Sequence, residues 1–144
     1  ILDEPTAGLD PQKRLELRNL IAEYSKDKII LLATHIVSDI ELIASQILLL
    51  KKGKLIKADP PGALTSQLTS KVCEIKFSRP LNDLELYGRI SSIYRHEEDI
   101  FARLILNDPA ILPPQASFVY PTLEDVYLYY FNDEEEVSHE HFSL

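Results

Sequence analysis

Ile1-Leu2-Asp3-Glu4-Pro5-Thr6-Ala7-Gly8-Leu9-Asp10-Pro11 is the stretch that decides how this chain is read. A short apolar run ends in two adjacent carboxylates, and a Pro and a Gly-containing turn follow at once. Ile1 and Leu2 read as the end of a buried strand. Asp10-Pro11 then opens a helix, because an Asp accepts from the free N–H groups of a first turn and Pro at the first helical position has no N–H to waste. Leu17, Leu20, Ile21 and Tyr24 recur at i, i+3, i+4 and i+7, which gives that helix one apolar face ending near Ser25. Ile29 to Ala33 is a continuous apolar run of strand length, the pattern of a strand covered on both faces. Val37 to Ala44 reads as a second helix, with Val37, Ile40 and Ile43 or Ala44 inward. Strand, helix, strand, helix in that order predicts an α/β fold built on a parallel sheet.

Such a sheet binds ligands beyond the carboxyl ends of its strands, which is where Asp3 and Glu4 fall. Magnesium keeps several waters and takes one or two carboxylates beside substrate phosphates, so an Asp on a strand end suits it, directly or through water. The carboxylate next to it is placed to orient and deprotonate an attacking water. His35 follows the second apolar run directly, as Ala33-Thr34-His35. That puts an imidazole at the carboxyl end of a neighbouring parallel strand, on the same edge as Asp3 and Glu4.

Asp3-Glu4-Pro5-Thr6-Ala7-Gly8-Leu9-Asp10-Pro11 with Ala33-Thr34-His35 resembles the Walker B strand, D-loop and H-loop of ABC-type ATPases. The resemblance implies ATP and Mg²⁺ as cofactors. It implies Glu4 and His35 as catalytic residues and Asp3 as the magnesium carboxylate. Ala7, Gly8, Leu9 and Asp10 would lie at the interface with a second ATP-binding subunit, near its phosphate loop. Asp39 matches the acidic position usual after the H-loop His. Two departures are Ala7, where Ser is commoner, and Ser45-Gln46, where Asp-Arg is usual. No G-x-x-x-x-G-K-[ST] loop occurs in these 144 residues. The expectation is therefore a chain truncated at Walker B that does not turn over ATP alone. In the ABC fold the phosphate-loop strand lies between the strands here assigned to Ile29–Ala33 and Ile47–Leu50. An apolar slot with unpaired backbone is expected between those two.

Ile47 to Leu50, Lys52-Gly53 and Leu55 to Ala58 read as a hairpin, and Pro60-Pro61-Gly62 leads into a short helix over Ala63 to Leu68. The character changes after Thr69. Cys73, Ile75 and Phe77 alternate with Val72, Glu74 and Lys76, as in a half-buried strand. A short helix is expected over Asp83 to Arg89. Ile90 to Arg95 and Ile100 to Leu106 form a second hairpin around His96-Glu97-Glu98-Asp99, and Ser117 to Tyr120 another strand. Thr122-Leu123-Glu124-Asp125 is a capping-box variant opening a helix with Leu123, Val126, Tyr127 and Tyr130 on its apolar stripe. The lysines at 51, 52, 54 and 57 read as a solvated hairpin edge. Residues 132–144 read as a mobile acidic tail.

Residues 1–70 carry nine acidic and nine basic side chains, whereas 71–144 carry fourteen and six, so the second half holds the whole net charge of −8. Two units are expected. Residues 1–70 are the C-terminal part of an ABC nucleotide-binding domain, a partial P-loop NTPase sheet with helices, and 71–144 are a small acidic α+β accessory unit. The acidic balance disfavours nucleic acid as a partner. The single Cys73 reads as a buried apolar side chain, and the paired histidines of His139-Glu140-His141 as solvated. The longest apolar runs are far short of the roughly 20 residues that span a bilayer. Residues 121–128, Pro-Thr-Leu-Glu-Asp-Val-Tyr-Leu, resemble the closing helix of the extension in ATP-binding subunits of multidrug, bacitracin-resistance and lantibiotic exporters. That resemblance implies a transmembrane permease and a second ATP-binding subunit as partners, and a cytoplasmic location at the inner face of the membrane. Two other readings are a soluble ABC ATPase of the chromosome-maintenance or DNA-repair kind, and a non-enzymatic regulatory or dimerisation module in residues 71–144.

Overall fold

The computed structural model describes residues 1–76 and 82–131. Strand β1 (Leu2–Asp3) pairs in parallel with β2 (Leu32–Ala33), Leu2 opposite Leu32 and Asp3 opposite Ala33. Between them runs α1 (Pro11–Tyr24), whose N-cap Asp10 accepts from the Lys13 N–H at 2.9 Å. The α/β order and the parallel pairing read from the sequence are present. The covering of the second strand is not. Ile29 is fully exposed and Leu31 is half exposed. On the apolar face of α1 only Ile21 is buried, and Leu20 and Tyr24 stay about half exposed. Leu2, Leu17, Leu20, Ile21, Tyr24 and Ile30 instead help to line an open apolar cleft of about 430 Å³.

After β2 comes one helical turn, α2 (Val37–Ile40), prolonged by a bond from the Ala44 N–H to the Ile40 carbonyl at 2.8 Å. It is shorter than the Val37–Ala44 helix expected. The hairpin of β3 (Ile47–Lys51) and β4 (Lys54–Asp59) closes through Lys52 and Gly53, both at positive φ (50° and 75°). That is the mirror-image turn that matches strand twist. Within the described residues β2 and β3 do not pair with each other. Leu31, Leu48 and Leu50 remain exposed, which is the uncovered apolar character expected of that slot.

α3 (Pro61–Ser66) leads into a four-stranded antiparallel sheet of order β6-β7-β5-β8, formed by β5 (Val72–Lys76), β6 (Gly88–His96), β7 (Asp99–Leu106) and β8 (Ser117–Phe118). Helix α4 (Asn82–Glu85) ends earlier than expected, because Gly88 and Arg89 already belong to β6. Gly88 is required there: a Cβ would sit 2.1 Å from the Ile105 carbonyl oxygen on the adjacent strand.

Helix α5 (Leu123–Tyr130) closes the described chain. Its capping box forms as read, Asp125 N–H to Thr122 Oγ1 at 3.3 Å and Thr122 N–H to Asp125 Oδ2 at 2.8 Å. Helix α5 covers the second face of β5. Side chains alternate between faces of a strand, so Val72 and Glu74 face away from Cys73 and Ile75. Both faces are covered. Cys73, Ile75, Ala102, Leu104 and Leu106 pack with Leu84 on one side. Val72 and Ile105 pack on the other with Leu64, Leu68, Leu123, Val126 and Ile47. That second cluster draws on residues before and after residue 70. Phe77 and residues 132–144 lie outside the described residues, so the tail and its two histidines do as well.

Arg103 lies on the α5 face with its side chain 12% exposed. Opposite Glu74 in the β5–β7 register, it donates Nη1 to Glu74 Oε1 at 2.8 Å and Nη2 to Asp125 Oδ2 at 2.8 Å. Lys51 is not part of a solvated edge. Its Nζ donates to the Tyr130 carbonyl at 3.1 Å and lies 5.9 Å from the Phe131 ring centroid.

Candidate functional site

The parallel pairing of β1 and β2 sets their carboxyl ends side by side. The Leu2 N–H donates to the Leu31 carbonyl and the Glu4 N–H to the Ala33 carbonyl, each at 2.8 Å. At Glu4 the chain leaves the strand with φ of 43°, a left-handed conformation that a non-Gly residue adopts at a cost. Ala7 N–H to Glu4 carbonyl (3.1 Å) and Leu9 N–H to Thr6 carbonyl (3.2 Å) then fold the loop back.

That turn aims Glu4 across at the end of β2. Glu4 Oε1 stands 2.7 Å from His35 Nδ1 and accepts the His35 backbone N–H at 3.0 Å. Thr34 Oγ1 donates to Glu4 Oε2 at 3.1 Å and accepts from the Ile36 N–H at 3.0 Å. Both carboxylate oxygens are thus engaged. Glu4 is held below the usual glutamate range, chiefly by the His35 ring, against a burial effect that pushes it up, with Thr34 and the His35 N–H adding to the lowering. At ordinary pH Glu4 is an anion with an imidazole on one oxygen. His35 keeps most of its ring in solvent.

Of the site residues read from the sequence, Glu4 and His35 are therefore in direct contact. Asp3 is the next residue along, exposed at the strand end, and carries no hydrogen bond or ion pair on its carboxylate among the described residues. Gly8 (φ 73°) lies in the exposed loop and Asp10 is occupied in capping α1; the structure joins neither to the Glu4–His35 pair. Thr34, which the sequence marks only as the neighbour of His35, also holds Glu4. The available clue was a hydroxyl placed between an apolar strand and an imidazole.

A shallow open cleft of about 260 Å³ adjoins His35, lined by Ile36, Val37 and Ser38 on one side and Glu124, Tyr127 and Leu128 of α5 on the other. Nothing in the sequence tied α5 to this edge.

For a magnesium ion, the Asp3 carboxylate is a hard oxygen donor of the kind it prefers, whereas both Glu4 oxygens are already engaged by His35 and Thr34. Among the described residues no three His, Cys, Asp or Glu side chains cluster into a metal cage. The residues present fit a hydrated magnesium at Asp3. They do not supply a cradle for a triphosphate: the positive-φ glycines, Gly8 and Gly53, lie in separate turns. Cys73 is buried and pushed up to about 11 by that burial, which leaves an inert thiol. No helix among the described residues is long and apolar enough to cross a membrane.

No protein-family profile matches the chain. Individual proteins do. It is 44% identical over 61 residues to the energy-coupling factor transporter ATP-binding protein EcfA2 of Lactobacillus acidophilus, covering 42% of this chain and 21% of that protein. It is 38% identical over 55 residues to ABC transporter A family member 8 of Dictyostelium discoideum, covering 38% of this chain and 7% of that protein. Both of these relatives are ABC transporter proteins, and the stretch of this chain that matches them is similar to their sequence. A third match, to ATP-binding cassette sub-family A member 17 of Rattus norvegicus, is 28% identical over 130 residues, 86% of this chain and 7% of that protein. A match that long necessarily runs past residue 70, so the similarity to ABC proteins reaches the acidic half too. The chain spans about a fifth of the length of the EcfA2 relative and less of the other two.

Proposed function

We propose that residues 1–144 are the C-terminal part of the ATP-hydrolysing subunit of an ABC transporter. The observation that carries this reading is the Glu4–His35 contact at the shared edge of two parallel strands. Asp3 is the carboxylate for magnesium, through water. Glu4 orients the attacking water. A general base works best with a pKa near the working pH, and Glu4 lies below the usual glutamate range. Held as an anion, Glu4 is available to orient that water and accept its proton. His35 holds Glu4 and presents its exposed ring toward the place a terminal phosphate would occupy. Gly8 and Asp10 face a second ATP-binding subunit. Magnesium would supply charge neutralisation on the phosphates.

Exporter type is supported by residues 121–128, and it brings a membrane permease as partner and a cytoplasmic place beneath it. Residues 1–70 are the nucleotide-domain part and 71–144 the accessory unit. Without a phosphate loop, the 144 residues alone release no phosphate from ATP. A radiolabelled-phosphate assay that finds turnover in this chain would overturn that part. In the longer polypeptide this reading requires, Glu4→Gln should leave ATP binding largely intact and abolish turnover. Normal turnover in that variant would remove Glu4 from the reaction.

A further inference from the structure

α2 is a single turn, and one turn of helix does not hold itself together in water. Its N-cap, Ile36, contributes no side-chain hydrogen bond. Support comes from outside: Val37 and Ile40 pack against the cluster that contains Leu123 and Val126, and α2 lies in contact with α5. The Ile36–Ser38 wall and the Tyr127–Leu128 wall then face each other across the cleft that also reaches His35.

α5 is itself fixed from three directions. Arg103 grips Asp125 in its first turn. At the other end Arg89 Nη1 donates to the Leu128 carbonyl at 3.0 Å and Lys51 Nζ to the Tyr130 carbonyl at 3.1 Å. These carbonyls belong to the last turn, where a helix has no partners of its own. α5 is the fixed wall and α2 the element that leans on it. His35 stands two residues ahead of α2 and binds Glu4 through both its ring and its backbone N–H.

We propose that α5 of the acidic unit positions His35 against Glu4 by bracing α2, with Leu128 and Tyr127 as the positioning residues. The functional consequence rests on the ABC reading of Glu4 and His35; the mechanical coupling does not. A partner that engages the exposed face of Tyr127 or Glu124 would thereby act on the Glu4–His35 contact.

The test is amide hydrogen exchange on the full 144-residue chain. Leu128→Ala should lower protection at His35, Glu41 and Ala44 by at least about tenfold, while the β5–β7 ladder keeps its protection. Leu128→Met, which refills the volume, should restore it. Leu84→Ala removes the same side chain from the opposite face of the sheet and should leave residues 35–44 unchanged. If Leu128→Ala does not fold, the half-exposed Tyr127→Ala takes its place with the same expectation. Unchanged protection at 35–44 in the folded α5 variant, or an equal loss in Leu84→Ala, overturns the proposal. Neither outcome touches the ATPase reading, which stands or falls on Glu4→Gln.

Discussion

Removing Arg103 should be among the most damaging single changes available. The guanidinium makes two hydrogen bonds from Nε to Asp125 (3.2 and 3.0 Å), one from Nη2 to Asp125 (2.8 Å), one from Nη1 to Glu74 (2.8 Å) and one to the Tyr120 carbonyl. The side chain of Asp125 is 1% exposed and that of Arg103 12%. Burial alone would raise Asp125. The Arg103 bonds and the Thr122 N–H outweigh it, and the group lies below the ordinary aspartate value of 3.8. Arg103→Ala strands a buried carboxylate, and breaking such a pair costs about 3–5 kcal/mol. At roughly 3–5 °C per kcal/mol for a domain of this size, the melting temperature should fall by about 10–20 °C. Urea unfolding followed by circular dichroism gives the free energy directly. The sign of the pH effect follows from the lowered value. Asp125 contributes stability above its unfolded pKa of about 3.8, and loses it as pH falls through the lower folded value. Asp125→Asn should therefore flatten the acid limb of the stability curve. A cost under about 1 kcal/mol for Arg103→Ala would show the pair to be effectively solvated and refute the reasoning.

Two further substitutions test the fold. Gly88→Ala drives a Cβ into the Ile105 carbonyl at 2.1 Å, a backbone atom that cannot step aside, and should cost on the order of 3 kcal/mol or more, read as a shifted urea midpoint; a midpoint within error of the parent would contradict the tight β6–β7 approach. Asp10→Ala removes the cap of α1 and should cost about 1 kcal/mol; Asp10→Asn, which keeps an acceptor, should recover nearly all of it in the same assay.

The edge that carries Glu4 and His35 was legible because its determinants are local. Two apolar runs, each followed at once by a polar residue, fix where the strands end, and parallel pairing brings those ends together. Lys52-Gly53 and Thr122-Asp125 were legible for the same reason: turn and cap chemistry are written in adjacent residues. What escaped was long-range. Nothing near Arg103 announces that its partner is Asp125, 22 residues on. The Asp in place of Glu in the capping box was visible, but its second task was not. Lys51 looked like one of four solvated lysines until α5 offered it a carbonyl. The opposite error came from periodicity. Ile29–Ala33 reads as doubly covered, yet apolarity records only what a strand suits, and in these residues no neighbour covers Ile29 or Leu31.

The shared core bears on how the acidic unit should be probed. Deleting residues 71–144 looks like a clean test of whether they form a separate module. Leu64, Leu68 and Ile47 precede residue 70, however, and are buried against Val72, Ile105, Leu123 and Val126. Exposing each costs about 1.5–3 kcal/mol, and a whole domain has only about 5–15 kcal/mol to lose. A deletion would therefore uncover the hairpin and α3, and release α2, before any regulatory contact was tested. Loss of activity in a deletion would not separate regulation from unfolding. Point changes on the α5 wall of the cleft do separate them, because Leu128 packs at the rim of that core, Tyr127 is an exposed part of the cleft lining, and truncating either should leave the sheet intact.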